Sequence, residues 1–165
     1  MANSFYMDAS ALAKRYLPEK GSAQVDAILD TVPRSRIHFL NIGAGEVLSI
    51  LVRRRNAATM PAAKFNQAVA SFNTEVVHGM GVSKASVTSR LIVTSLPFVI
   101  AHSINSTDAL ILRSALAIAR RLRRAGDNLV LVASDQRLLR AAQAESVTTF
   151  NPETQDRAGL AALMA

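Results

Sequence analysis

Four carboxylates occupy places from which they could act together on a metal ion and a phosphate. Asp8 directly follows an apolar run, Ser4 to Met7, that reads as a strand. Asp135 follows another, Leu129 to Ala133, across the single residue Ser134, and that run's unbroken apolar character suits a strand buried on both faces. Glu46 and Asp108 fall in the first turn of two helical segments, Gly43 to Arg55 and a long one ending at Arg124. Singly, each acid has an ordinary explanation. A carboxylate in a helix's first turn complements the exposed N–H groups by roughly 0.3–1 kcal/mol. An Asp after a strand often caps the next helix. Brought to one edge, the four would repel each other, by about 1 kcal/mol per pair at 4 Å in water and about 4 at an effective dielectric of 20. A fold keeps such a cluster when something positive sits in it. All-oxygen ligands suit Mg²⁺ or Mn²⁺. The other eight acids, such as Glu19, Asp26 and Glu153, lie in polar or turn-like surroundings.

The elements that must position these groups alternate along the chain. Strands are expected at Ser4–Met7, Ile37–Leu40, Leu91–Thr94, Leu129–Ala133 and Val147–Phe150. Helices are expected at 9–16, 22–29, 43–55, from Pro61, and at 136–144. Ser95 and Pro97 look like the cap and first turn of a further helix, and Ser106 or Thr107 caps the long one. The stretch 76–89, broken by Gly79 and Gly81, fits helix end, loop or both. Alternation of this kind argues for a mainly parallel sheet covered on both faces. Ligands of such sheets bind beyond the carboxyl ends of the strands, where Asp8 and Asp135 fall.

Composition bounds the chemistry. The 165 residues make about one domain at the usual ~150 residues per domain. There is no cysteine, which excludes disulfides, thiolate metal sites and cysteine nucleophiles. Basic residues outnumber acidic ones by 19 to 12, giving a formal charge of +7 that favours polyanions or an acidic partner. The best apolar run, Leu91 to Ile104, falls short of the ~18 residues of a membrane span. Asp8 interrupts any signal-like apolar start, so the expected compartment is the cytoplasm. His38, His78 and His102 are scattered without ligand-like spacing. No phosphate-binding loop occurs, and Lys84 stands where a dinucleotide fingerprint wants its third glycine. Ser10 stands where a phosphatase of the haloacid dehalogenase type wants a second Asp.

Four blocks carry a family resemblance. They are Asp8-Ala9-Ser10-Ala11-Leu12-Ala13-Lys14, Gly45-Glu46-Val47-Leu48-Ser49, Thr107-Asp108-Ala109-Leu110-Ile111-Leu112 and Ala133-Ser134-Asp135-Gln136-Arg137-Leu138-Leu139. In type, order and separation they resemble the signature blocks of PIN-domain ribonucleases, above all VapC-type toxins of toxin–antitoxin pairs. Phe150-Asn151-Pro152-Glu153 is similar to the family's ending. The likeness spans residues 4 to 153 and is poorest over 76–103. It implies a three-layer α/β/α PIN-like fold with a mostly parallel five-stranded sheet in the order 3-2-1-4-5. The nuclease domain would be residues 1–153, and 154–165 a helical C-terminal tail. The resemblance implies Mg²⁺ or Mn²⁺ held by Asp8, Glu46, Asp108 and Asp135, supported by Ser10 and Ser134. It implies an RNA substrate, a homodimer and an antitoxin that places a basic side chain among the carboxylates. For the RNA backbone, Arg137 and Arg140 are the first candidates and Lys14 the next. Arg53-Arg54-Arg55 and the arginines at 120, 121, 123 and 124 end helices, where cations complement the dipole. A housekeeping RNA-processing nuclease, or a non-catalytic binding module on the same fold, are the competing expectations.

Overall fold

The structure, a computed structural model, describes residues 2–164. Five strands form its centre: β1 (Asn3–Met7), β2 (Ile37–Leu40), β3 (Ser83–Ala85), β4 (Asn128–Val132) and β5 (Thr148–Phe150). They lie in the order β3-β2-β1-β4-β5, and every pairing is parallel. Around them pack α1 (Ala9–Leu12), α2 (Ser22–Thr31), α3 (Ile42–Asn56), α4 (Ala62–Phe72), α5 (Ser89–His102), α6 (Ser106–Arg124), α7 (Gln136–Ala144) and α8 (Arg157–Met164). This is the three-layer α/β/α PIN-like fold in the expected strand order.

Strand alternation divides the core between the two faces of the sheet. Phe5, Met7, Val130 and Val132 join one apolar cluster, with Val47 and Leu51 of α3 and Phe72 of α4. Tyr6, Leu40, Leu129 and Leu131 join the other, with α6 and α7. Leu160 of α8 is buried in the first cluster, and Leu163 and Met164 pack against it. The last residues are thus anchored to the core, with the helix beginning at Arg157 rather than Thr154.

The largest departure from expectation concerns one stretch. Leu91–Thr94 is not a strand. It lies inside α5, which Thr88 caps by accepting from the N–H of Leu91 at 3.1 Å. Ser95 and Pro97 are likewise interior to α5, not its start. The third strand is β3, within the stretch that had no clear assignment. Leu91, Phe98 and Val99 of α5 pack on the core, while Ile92, Val93, Leu96 and Ile100 are exposed. A helix apolar on both sides shows no 3.6-residue period, and its β-branched residues imitate a strand. Ahead of β3 the chain turns at Gly79, where a Cβ would lie 2.0 Å from the Glu75 carbonyl oxygen, so only glycine fits.

Candidate active site

Parallel register brings two of the four carboxylates together. Met7 of β1 stands opposite Val132 of β4, and the Asp8 N–H donates to the Val132 carbonyl at 2.9 Å. Both strands therefore end at one level, with Asp8 and Asp135 just beyond it. Each then caps a helix. Asp8 caps α1, its Oδ2 accepting from the Ser10 N–H at 3.0 Å and from the Ser10 hydroxyl. Asp135 caps α7, its Oδ1 accepting from the N–H groups of Arg137 at 2.7 Å and Leu138 at 3.2 Å. Asp108 comes in the first turn of α6. Glu46 is the fifth residue of α3, so it stands in the second turn and not the first, because the helix begins at Ile42.

All four line one cleft of about 320 Å³, with Ser10, Ser49, Ile50 and Arg53. No histidine lines it. None of the four carboxylates forms an ion pair among the described residues. Five other acids do, with lysine or arginine: Glu19, Asp26, Asp30, Glu75 and Glu153. The cleft therefore holds like charges near one another. Burial, and then the charges of Asp8, Asp135 and Glu46, push the Asp108 carboxyl up to about 7. Burial raises Asp8 against the lowering effect of Ser10, with Asp135 adding to the rise. Burial and Asp8 raise Glu46.

The donor set is all carboxylate oxygen, the set that suits Mg²⁺ or Mn²⁺. Its raised carboxyls are those a nearby cation would return to the charged form. In chemistry the residues fit such an ion. As positioned, no three His, Asp or Glu side chains among the described residues are gathered tightly enough to hold one.

The supporting residues divide. Ser10 links two strand ends, since its hydroxyl donates to Asp8 and its oxygen accepts from the Ser134 N–H at 3.1 Å. Ser134 thus contributes its backbone. Its hydroxyl is buried near the Glu153 carboxylate but makes no hydrogen bond. Arg137 and Arg140 are exposed on α7, behind Asp135. Lys14 is elsewhere. Only 4% exposed, its ammonium lies 2.7 Å from both Glu19 and Glu153. Burial opposes its charge, but those two carboxylates outweigh burial and raise its pKa. It closes a structural clip and is not free to meet a phosphate.

Asn105 escaped the sequence reading. It, and not Ser106 or Thr107, caps α6. Its Oδ1 accepts from the Asp108 N–H at 2.8 Å, while its Nδ2 donates to Asp108 Oδ2 at 2.8 Å. The signal was the Asn-x-x-Asp spacing, a variant of the reciprocal capping box. Three capping residues in a row concealed which one served.

No family model matches the chain, and no curated protein does. Solved structures do. FitAB bound to the IR36 DNA fragment aligns with a TM-score of 0.66 at 13% identity, over 93% of this chain and 98% of that one. PAE2754 from Pyrobaculum aerophilum aligns at 0.61 and 19% identity, over 99% and 90%. Mycobacterium tuberculosis VapC20, a sarcin–ricin loop cleaving toxin, aligns at 0.58 and 18% identity, over 84% and 95%. The chain thus has the PIN-like, VapC-type fold that its four blocks suggest. At these identities the likeness speaks for the fold, and the chemistry must be argued from the cleft.

Proposed function

We propose that this chain is a metal-dependent ribonuclease and the toxin of a VapBC-type toxin–antitoxin pair. One observation carries the reading. Four carboxylates from four distant segments share a cleft, with no ion pair among the described residues, while five other acids pair with lysine or arginine. Folding has gathered negative charge there at a cost in stability, which makes sense for a site that takes up a cation. The fold shared with VapC20 and the Fit proteins supports the toxin assignment.

Asp8, Glu46, Asp108 and Asp135 would hold Mg²⁺ or Mn²⁺. Bound there, the ion would make a water easier to deprotonate and offset charge on the phosphate under attack. The chain's own residues orient the carboxylates. Ser10 fixes Asp8, Asn105 fixes Asp108, and the first N–H groups of α7 fix Asp135. Arg137 and Arg140 are offered to the RNA backbone, guanidinium forks being suited to phosphate oxygens. Water attack with loss of the 3′-oxygen leaves a 5′-phosphate and a 3′-hydroxyl. An antitoxin would silence the site by inserting a cation among the carboxylates. For the homodimer implied by the resemblance, the apolar outer face of α5 is available.

The test is cleavage of a mixture of tRNA, rRNA fragments and mRNA by wild type and Asp108→Asn, in Mg²⁺, Mn²⁺ and EDTA. The expected result is discrete products with 5′-phosphate, from wild type with metal only. Products ending in 2′,3′-cyclic phosphate would contradict it, because they require attack by the RNA's own 2′-hydroxyl.

A further inference from the structure

The run Arg53-Arg54-Arg55 looks like one basic helix end, but the structure gives its members three separate surroundings. Arg54 donates to Glu19 at 2.7 Å. Arg55 lies over the Phe65 ring, 4.5 Å from its centroid. Arg53 is exposed, lines the carboxylate cleft and has no ion-pair partner among the described residues. Glu46, Ser49, Ile50 and Arg53 follow at i, i+3, i+4 and i+7, so one stripe of α3 forms this wall of the cleft.

The spacing tells against a neutralising role. A cation meant to quench Glu46 belongs one turn away, at 49 or 50, where Ser49 and Ile50 stand. The Ser49 hydroxyl is turned back to the Gly45 carbonyl at 2.8 Å. Arg53 is two turns on, about 10 Å along the helix axis. There its charge leaves the carboxylates unpaired yet faces the same opening. We propose that Arg53 binds a backbone phosphate of the RNA flanking the cleaved bond, on the α3 wall, with Arg137 serving the α7 wall. This rests on the ribonuclease reading. It gives the substrate strand two cationic contacts, one on each side of the carboxylates, and assigns Arg53 the part that buried Lys14 cannot play.

The experiment measures binding of a fluorescein-labelled 12-nucleotide RNA by anisotropy in EDTA, over 50–200 mM salt. KM and kcat are then measured with Mn²⁺. Wild type is compared with Arg53→Gln, Arg53→Lys, Arg54→Gln and Arg55→Gln. Removing one phosphate contact from a single strand lowers the slope of log affinity against log salt by about 0.7. Arg53→Gln should show that loss, with affinity about 3–10-fold weaker at low salt. Its KM should rise while kcat stays within about twofold, as for loss of uniform binding. Arg53→Lys should restore the slope but not the full affinity, since it keeps the charge and loses the fork. Arg54→Gln and Arg55→Gln should keep the wild-type slope.

Cleavage by wild type with slope and KM unchanged in Arg53→Gln overturns the Arg53 assignment alone. So does a fall in kcat with slope and KM unchanged. Wild type that neither binds nor cleaves RNA brings down the ribonuclease reading, and this inference with it.

Discussion

Two groups of carboxylates flank α1, and they are treated in opposite ways. Below the helix, Glu19 and Glu153 close on the ammonium of Lys14, and Arg54 adds a second cation to Glu19. The hydrogen bond from Lys14 holds Glu153 below its ordinary pKa. Above it, Asp8, Glu46, Asp108 and Asp135 share a cleft and form no ion pair among the described residues, and Asp108 is pushed up to about 7. The first group holds the end of the chain to its beginning. The second gathers unquenched charge, the feature on which the proposed cation site rests. Neighbouring acids of one chain thus separate into a set that cations reach and a set that they do not, a distinction that composition does not reveal.

The contrast can be broken first at the clip. Lys14→Met removes the cation that Glu19 and Glu153 share, leaving Glu19 with Arg54 alone and Glu153 with no ion pair among the described residues. Losing one partner of a buried pair costs about 3–5 kcal/mol; the partly exposed carboxylates here bring the expected loss to about 2–3. Urea unfolding checks it. A change below ~0.5 kcal/mol would mean that the clip contributes little.

Asp108→Asn should act in the opposite direction. Without metal, above pH 7, it removes one charge from the repelling set while its Oδ1 can still accept from Asn105. A gain of about 1–2 kcal/mol is expected. The pH dependence has a definite sign. Asp108 is raised on folding, so between about 4 and 7 the folded state holds more protons than the unfolded one, and stability falls as pH rises. The advantage of Asp108→Asn over wild type should therefore grow across that window and level off above it. Parallel melting curves from pH 4 to 8 would show this, and a constant offset would refute it.

A smaller effect, of the other sign, comes from His38. It is buried with both ring nitrogens unpartnered. Burial, then the charge of Arg121, lowers its pKa to about 4. Between about 4 and 6.5 the unfolded state binds the extra proton, so His38 costs stability as pH falls. His38→Leu should flatten the acid side of the melting profile. An unchanged acid slope would place the proton elsewhere.

Much of the frame was legible in the residues. β1, β2 and β4 are bounded by Asp or Asn and are mostly apolar, and β5 is marked by Val147, Phe150 and the Asn151–Pro152 stop that follows it. Asp8 and Asp135 follow from strand ends alone, and parallel register does the rest. Tertiary packing decided what stayed hidden. α5 carries Ile92, Val93, Leu96 and Ile100 on an exposed side as well as Leu91, Phe98 and Val99 on the core side, so Leu91–Thr94 imitated a strand. β3 is three residues long and half-buried, too short to show alternation. Lys14 sits six residues from Asp8 and suggested a phosphate contact, because Glu153, its partner 139 residues away, cannot be paired with it by sequence. The three roles of Arg53, Arg54 and Arg55 depend on which way each points around α3, against Glu19 and Phe65 that the chain brings from elsewhere.

The claim that the cleft is kept for a divalent cation is tested most directly by Mn²⁺-dependent thermal unfolding of wild type and Asp108→Asn. Wild type should gain stability as RT ln(1 + [L]/Kd), about 2.7 kcal/mol at a hundred times Kd, and Asp108→Asn should lose most of that gain. No gain in wild type, or the same gain in both proteins, would contradict the account.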